Sequence, residues 1–111
     1  SMATINHGEP SFELYDEVVS ESNGRLINSE GKLAGSSITQ IDAIKNAYLS
    51  CNIPLNDAIA MATRYPAEYL GVGNYLGSLK SGYRADLAHF DLDFNIHNVW
   101  VAGKHLKQEA L

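Results

Sequence analysis

The spacing of hydrophobic positions changes along the chain, and each spacing predicts a different element. In residues 11–20 apolar side chains alternate with polar ones and end in two valines, a pattern that favours a β-strand. Asn23-Gly24 separates this stretch from a second apolar run at 25–28. Both central positions of a tight hairpin turn need positive φ, so Asn-Gly between apolar runs predicts a β-hairpin. Residues 1–10 have no period and are expected to be irregular.

A helical period begins after Ser36-Ser37. The apolar residues that follow lie three or four positions apart and would form one face of an amphipathic helix: Ile38, Ile41, Ile44, Ala47, Tyr48 and Cys51. Either Ser36 or Ser37 is expected to cap this helix through its hydroxyl oxygen. Asn52, with a proline two positions later, is expected to end it. Cys51 is expected to be a small buried hydrophobic residue.

Two shorter helices are predicted next. Asn56 suits the N-cap of the first one. The residue before Pro66 is biased away from the helical conformation, so a new helix is expected over 66–70. Proline in the first turn and Gly71 just after the last turn fit the usual ends of such a helix.

Strand-like patterns return near the C-terminus. Leu87 and Phe90 are the candidate buried positions of one strand, and a second apolar run covers 96–101. Ala102-Gly103 then turns the chain, which predicts a second hairpin with Gly103 at a positive-φ position.

These elements predict an α+β fold. A chain of 111 residues is long enough for one domain and too short for two ordinary ones. The expected organisation is an irregular lead-in, a hairpin with a loop segment, a helical segment and C-terminal strands, covering 1–10, 11–37, 38–71 and 72–111 respectively.

Composition narrows the possible partners. Eight basic and thirteen acidic residues give a net charge of −5, and this field would repel phosphate backbones, which argues against nucleic acid. No apolar run approaches the roughly 18–20 residues that a membrane span needs, so no membrane partner is expected. The single cysteine rules out an internal disulfide and fits a reducing compartment, which favours a cytoplasmic location.

The residues that could carry chemistry do not form a complete set. The four histidines, His7, His89, His97 and His105, lack the spacing of known metal motifs, and there is no cysteine pair, so no metal site is expected. The glycine-flanked stretch GKLAGSS places its lysine too early for a phosphate-binding Walker loop.

A serine-histidine-aspartate site could be written from Ser36, His89 and Asp86. Ser36, however, lacks the Gly-x-Ser-x-Gly elbow that exposes a nucleophilic serine. Asp86 is expected to cap the turn at Arg84-Ala85 rather than to act as a base. No catalytic residue is therefore assigned.

Blocks of the sequence resemble a known family. GKLAGSSIT, LNDAIAMATRYPAEYLGV and LGSLKSGYRADLAHFD occur in this order. Their order and spacing are similar to the C-terminal part of N-acetylglucosamine-6-phosphate deacetylases, in the amidohydrolase superfamily. The third block is common across that superfamily, whereas Leu-Ala-Gly-Ser and MATRYPA point to the deacetylases.

The resemblance implies a fold and an activity. It implies the last helices of a (β/α)₈ barrel, followed by hairpins of a small β-sandwich made from both chain termini. The family removes acetate from N-acetylglucosamine 6-phosphate, using water bound to a divalent metal such as zinc and an aspartate as base and then acid. The metal ligands and that aspartate belong to strands upstream of this sequence. The 111-residue chain alone is therefore expected to be inactive.

The resemblance also implies one contact with the sugar-phosphate substrate. In the family the Leu-Ala-Gly segment lines this site, and here it is Leu33, Ala34 and Gly35. Small residues let a ligand approach the backbone closely, and a helix N-terminus follows. A bulky residue at Gly35 is expected to impair substrate use with little loss of fold.

Two other functions and an assembly state remain open at this stage. The chain could be part of another amidohydrolase, such as a deaminase or a dihydroorotase relative, or a non-enzymatic association module. Two hairpins cannot bury the apolar positions of all the helices, Ile38, Ile41, Ile44, Ile59, Met61 and Tyr69. A homo-oligomer is therefore expected, most simply a twofold dimer.

Overall fold

The computed structural model describes residues 11–14, 17–22, 25–27 and 33–107. The chain divides into two compact units, 1–43 and 44–111. The first unit contains a four-stranded antiparallel sheet in the order β1-β2-β3-β4. Its strands are β1 (Ser11–Leu14), β2 (Glu17–Ser22), β3 (Arg25–Ile27) and β4 (Leu33–Ser36).

The pairing in this sheet confirms the first predicted hairpin. Ser22 of β2 pairs with Arg25 of β3 on either side of Asn23-Gly24. The stretch 11–20, however, is not one strand, because Leu14 of β1 already pairs with Glu17 of β2. The expectation of an irregular lead-in at 1–10 lies outside the described residues.

Helix α1 (Gln40–Leu49) is capped by Thr39, which differs from the predicted cap. The Asp42 N–H donates to Oγ1 of Thr39 at 3.2 Å, and the Thr39 N–H donates to Oδ2 of Asp42 at 3.2 Å. This reciprocal arrangement is a capping box. The prediction of Ser36 or Ser37 as the cap is wrong because the helix starts later; Ser36 instead accepts the Ile38 N–H at 3.3 Å.

The end of α1 agrees with the prediction. Asn52 has a φ of 57°, and the Ile53 N–H bonds to the Ala47 carbonyl at 3.0 Å. Asparagine tolerates this left-handed conformation better than most residues. Cys51 is exposed, so the expectation of a buried thiol is wrong: the helix ends at Leu49 and Cys51 leaves the apolar face.

Helices α2 (Leu55–Ala62) and α3 (Arg64–Tyr69) follow. The prediction of Asn56 as the N-cap of α2 is wrong. Pro54 occupies the cap position without a side-chain bond, and its carbonyl accepts the Ala58 N–H at 2.9 Å. The fixed φ of proline orients the chain for helix entry, so Asn56 already lies in the first turn.

Helix α3 begins two residues earlier than predicted and ends as predicted. Gly71 has a φ of 78°, and its N–H bonds to the Glu68 carbonyl at 3.0 Å. The Val72 N–H bonds to the Ala67 carbonyl at 2.9 Å. This pair of bonds is the Schellman motif, which requires a left-handed residue and favours glycine.

The second unit contains a three-stranded antiparallel sheet in the order β5-β6-β7. Its strands are β5 (Leu87–Phe90), β6 (Ile96–Val101) and β7 (Lys104–His105). The predicted second hairpin is confirmed: Ala102 and Gly103 have φ values of 51° and 80°, as a two-residue turn of the primed type requires.

The buried core of the second unit is small. Among the described residues, the buried hydrophobic ones are Ile44, Phe94 and three alanines, Ala58, Ala60 and Ala67. Phe94 packs near Tyr48 and Phe90, with ring centroids 6.3 and 6.0 Å apart respectively. Of the helical positions expected to need cover, Met61 and Tyr69 are exposed. No helix in the described ranges is long and apolar enough to cross a membrane.

Candidate functional site

The segment predicted to contact substrate lies in strand β4 and carries a β-bulge. Leu33 pairs with Ile27, and Gly35 pairs with Leu26. Leu26 and Ile27 are consecutive in β3, so Ala34 is an extra, unpaired residue of β4 at this point. Gly35 has a φ of 141°, which side-chain-bearing residues rarely adopt. Bulges bend a strand and are common beside active sites. The expectation that Gly35 can be replaced with little loss of fold does not hold, because a Cβ would strain this backbone.

The start of α1 lies five residues after Gly35. Backbone N–H groups at a helix N-terminus attract anions. Here, however, the carboxylate of Asp42 already binds the Thr39 N–H, and Thr39 binds the Asp42 N–H. An anion at this helix start would face a carboxylate. If residues 33–35 contact a ligand, these hydrogen bonds favour contact through the backbone of residues 33–35 rather than attraction of an anion to the N-terminus of α1.

A separate groove of about 910 Å³ lies in the second unit. Helices α2 and α3 form one wall, the loop at 76–80 forms another, and strand β5 lies opposite. Most lining positions are apolar or small, and they include Ile59, Ala60, Ala67, Leu70, Val72, Leu76, Leu79, Leu87 and Trp100. Three cationic side chains, Arg64, Lys80 and Arg84, also line the groove, which therefore offers charged contacts beside the apolar ones.

The loop wall of this groove is held tightly against α3. Gly77 has a φ of 92°, and an added Cβ would lie 2.8 Å from Cβ of Ala67 and 2.9 Å from the Thr63 carbonyl oxygen. The Tyr83 hydroxyl donates to the Gly73 carbonyl at 2.7 Å. A glycine at 77 is therefore needed both for its conformation and for its close approach.

Asp86 connects the loop to the second sheet. Its Oδ1 atom accepts the Arg84 Nε–H at 3.0 Å and the Ala102 N–H at 2.8 Å. The prediction that Asp86 caps the turn at Arg84-Ala85 is wrong: its carboxylate binds the Arg84 side chain, and the backbone N–H that it accepts is that of Ala102, in the turn between β6 and β7. The described hydrogen bonds of Asp86 do not include one to His89, whose Nδ1 atom bonds to Asn98 instead.

Two histidines are joined through one amide. Nδ2 of Asn98 lies 3.0 Å from Nδ1 of His89, and Oδ1 of Asn98 lies 2.9 Å from Nε2 of His105. An amide nitrogen donates and an amide oxygen accepts, so Nδ1 of His89 is the acceptor and Nε2 of His105 is the donor. The His105 ring also lies 5.3 Å from the Trp100 ring.

The remaining described histidine bonds to a carboxylate that organises a turn. Nε2 of His97 lies 2.7 Å from Oδ2 of Asp91. The other oxygen of Asp91 accepts the backbone N–H groups of Asp93, at 2.9 Å, and Asn95, at 3.0 Å. The Asn95 bond, followed by the His97 contact, lowers the pKa of Asp91 to about 2.

These partners leave no metal site among the described residues. Within 33–107 and the three described strands before it, no three His, Cys, Asp or Glu side chains could hold a metal ion. Asn98 lies between His89 and His105, and Asp91 bonds to His97. His7 lies outside the described residues.

Sequence reasoning missed both the groove and the role of Asn98. His89 faces Asn98 across β5 and β6, and Trp100 faces His105 across β6 and β7. The alternation of side chains along a strand predicts which residues of that strand share a face of the sheet. The register between strands is needed to show which residues of neighbouring strands are in contact.

Comparison with protein families matches residues 16–106 to the amidohydrolase family. The N-acetylglucosamine-6-phosphate deacetylase of Vibrio furnissii is 37% identical over 118 residues, which include 100% of this chain and 30% of the relative. The N-acetylgalactosamine-6-phosphate deacetylase of Shewanella sp. (strain ANA-3) is 32% identical and covers 97% of this chain and 27% of the relative.

Solved structures give the same similarity. N-acetylglucosamine-6-phosphate deacetylase from Pasteurella multocida superposes with a TM-score of 0.81 at 36% identity, over 86% of this chain and 25% of that one. A variant of the Mycobacterium smegmatis enzyme, in complex with N-acetyl-D-glucosamine-6-phosphate, gives a TM-score of 0.77 at 26% identity, over 95% and 28% of the two chains. The chain thus spans under a third of these relatives.

Proposed function

Because the chain belongs to the amidohydrolase family, we propose that it is the C-terminal part of a deacetylase acting on an N-acetylated hexosamine 6-phosphate. The observation that carries this proposal is the 37% identity to the Vibrio furnissii deacetylase along the whole chain. The TM-score of 0.81 with the Pasteurella multocida enzyme, at 36% identity, also supports it.

We propose N-acetylglucosamine 6-phosphate as the substrate, giving glucosamine 6-phosphate and acetate. Relatives named for this sugar reach 37% and 36% identity, whereas those named for the N-acetylgalactosamine compound reach 32% and 33%. The two sugars differ in the configuration of one hydroxyl group, so the comparison of substrates is a necessary arm of any test.

The contribution of this chain to the substrate site is proposed to be backbone contact at Leu33, Ala34 and Gly35. Gly35 has no side chain and a φ that suits glycine, and the bulge at Ala34 breaks the regular pairing of β4 with β3. Such a segment can present backbone groups to a polar ligand without obstruction by a Cβ at Gly35.

The chemical step is proposed to depend on residues outside these 111. The amidohydrolase family is generally metal-dependent. The described residues do not fit a metal site, since their histidines bond to Asn98 and Asp91 and no suitable cluster occurs among them. No step through a metal is therefore assigned to this chain, which is proposed to be inactive alone.

In the complete enzyme, α1 to α3 are proposed to be the last helices of a barrel and β5 to β7 strands of a small β-sandwich. In the isolated chain, these helices and the segment between α3 and β5 leave large apolar side chains exposed, among them Met61, Tyr69, Leu70 and Leu79. Burial of such side chains favours association, so the isolated chain is proposed to form a homo-oligomer.

A chimera tests the proposed reaction. The matching region of the Vibrio furnissii deacetylase is replaced by this chain, and acetate release is measured from both N-acetylhexosamine 6-phosphates. We expect hydrolysis with a preference for the glucosamine compound, and the unmodified Vibrio enzyme is the control. A folded chimera that binds metal but hydrolyses neither sugar would contradict the proposal. Activity only on deaminase or dihydroorotase substrates would assign the chain to another amidohydrolase.

A further inference from the structure

Strand β5 is an edge strand whose outward backbone groups can be identified from hydrogen bonds beside it. The Gly103 N–H bonds to the Ala85 carbonyl at 2.9 Å, and the Asp91 N–H bonds to the Asn95 carbonyl at 3.1 Å. Residues 85 and 91 therefore direct their backbone groups inward. Because these directions alternate along a strand, Leu87 and His89 also face β6.

The same alternation directs the N–H and C=O groups of Ala88 and Phe90 away from the sheet. Val99 lies opposite Ala88, and its carbonyl accepts the Leu106 N–H at 2.8 Å. The backbone groups of Val99 therefore point toward β7 and are not the partners of Ala88. In the part of the chain that the structure describes, no backbone partner is recorded for the outward groups of Ala88 and Phe90.

The two edges of this sheet differ in how they are protected. β7 is only two residues long and contains Lys104, features that discourage pairing with another strand. β5 has the sequence LAHF, without proline, lysine, arginine or an acidic residue, and Ala88 is exposed. β5 is thus the edge that can accept a further strand.

We propose that the isolated chain self-associates by antiparallel pairing of β5 with β5 of a second copy, about a twofold axis at His89. In this register Ala88 of each copy lies opposite Phe90 of the other, and each such pair exchanges two backbone hydrogen bonds. Leu87 lies opposite Asp91, so no two carboxylates face each other. The contact is self-complementary, as a twofold interface requires.

Adjacent apolar surface favours a second copy as the occupant. The groove beside β5 is lined by Leu70 and Leu79, which are 72% and 85% exposed. A short strand pair alone buries little area, and these side chains would add apolar contact to it. This inference specifies the contact of the proposed homo-oligomer and does not depend on the proposed reaction.

Ala88→Pro tests the contact in the full 111-residue chain. Proline removes the outward N–H of residue 88 but no bond of the β5–β6 ladder, and edge strands tolerate it at such positions. Two of the four bonds between the copies would be lost, so we expect the dimer dissociation constant in sedimentation equilibrium to rise about tenfold or more. Met61→Lys tests the alternative that the exposed apolar residue of α2 outside the groove forms the contact instead; if β5 forms it, this variant should leave the constant unchanged.

Hydrogen exchange on the unmodified chain gives a second test that does not require a variant to fold. The amides of Ala88 and Phe90 should exchange slowly at high protein concentration and rapidly on dilution, whereas those of Leu87 and His89 should stay protected. A monomer at all concentrations would overturn both this contact and the homo-oligomer proposal. A dimer with rapidly exchanging Ala88 and Phe90 amides, or one weakened only by Met61→Lys, would overturn the β5 contact alone.

Discussion

The carboxylate of Asp91 accepts a hydrogen bond from Nε2 of His97 at 2.7 Å and closes the turn between β5 and β6. Its second oxygen binds the N–H groups of Asp93 and Asn95 inside the same turn. All these bonds favour the ionised carboxylate, and together they lower its pKa from 3.8 to about 2. Folding and proton binding at Asp91 are therefore linked.

This linkage predicts an acid-dependent loss of stability. The unfolded chain takes up a proton at Asp91 near its ordinary pKa, whereas the folded chain resists protonation until the pH is near 2. The stabilisation is thus complete above about pH 4 and declines as the pH falls from there through the folded-state pKa. Between about pH 5 and pH 2, a range that includes both pKa values, we expect the Tm of Asp91→Asn to fall less than the Tm of the unmodified chain.

Asp93→Asn is the matched control for this experiment. Asp93 lies in the same turn with an exposed side chain, and it contributes a backbone N–H rather than a carboxylate to the network. Its Tm should follow the acid dependence of the unmodified chain. Identical curves for Asp91→Asn and the unmodified chain would show that the turn is held by other bonds.

Phe94 should be the most sensitive side chain of that turn. It is 8% exposed, whereas Leu92, two residues earlier, is 83% exposed. Phe94→Ala is expected to cost about 3–5 kcal/mol of unfolding free energy, and Leu92→Ala less than about 0.5 kcal/mol. Chemical denaturation followed by circular dichroism measures both changes. Equal effects at the two positions would contradict the packing described for Phe94.

The backbone of Phe94 adds a second expectation. Its φ is 64°, in the left-handed region that glycine adopts without steric cost. Phe94→Gly should therefore be less destabilising than Phe94→Ala, although glycine is usually the more destabilising residue. The reverse order would indicate that this φ is relaxed in solution.

The capping box of α1 gives a third prediction. Thr39→Ala removes the oxygen that accepts the Asp42 N–H and should lower the unfolding free energy by about 0.5–2 kcal/mol. Thr39→Ser keeps the oxygen and should restore most of this loss. Urea denaturation of the two variants distinguishes a cap from a packing effect of the threonine methyl group, because serine would not restore the latter.

Features set by neighbouring residues were predictable from the sequence. The turns at Asn23-Gly24 and Ala102-Gly103 and the helix end at Gly71 depend on local backbone conformation, and all three were identified. The helix caps were harder, because several suitable residues compete within one turn. Thr39 and Pro54 occupy the positions for which Ser36 or Ser37 and Asn56 had been predicted.

Features that depend on strand register could not be predicted in the same way. The bulge at Ala34 follows from which residues of β3 and β4 pair, and the bridge through Asn98 follows from three aligned strands. Hydrophobic alternation indicates that strands exist, but a shift by one residue would change every contact. The groove likewise depends on how β5 lies relative to α2 and α3.

The isolated chain should not release acetate from N-acetylglucosamine 6-phosphate, with or without added divalent metal. Its described residues provide no metal site, and it spans 30% of the Vibrio furnissii deacetylase. Acetate release is measured against a protein-free blank, with that deacetylase as the positive control. Metal-dependent turnover that copurifies with the 111-residue chain would show that the chain contains a complete site.

Gly35 should affect stability and substrate use separately. Because its φ is 141°, Gly35→Ala is expected to cost about 1–3 kcal/mol of unfolding free energy. Gln40→Ala, at an exposed position in the first turn of α1, is the control and should change it by less than about 0.5 kcal/mol.

The effect of Gly35 on substrate use is measured in the chimera with the Vibrio furnissii enzyme, well below the Tm of the variant. If residues 33–35 contact the sugar phosphate through their backbone, Gly35→Ala should raise KM more than it lowers kcat, because it obstructs binding without removing a reacting group. Ala34→Leu, at the bulged position, should act in the same direction. A lower Tm with unchanged KM in both variants would leave Gly35 a purely structural glycine and remove all three residues from the substrate site.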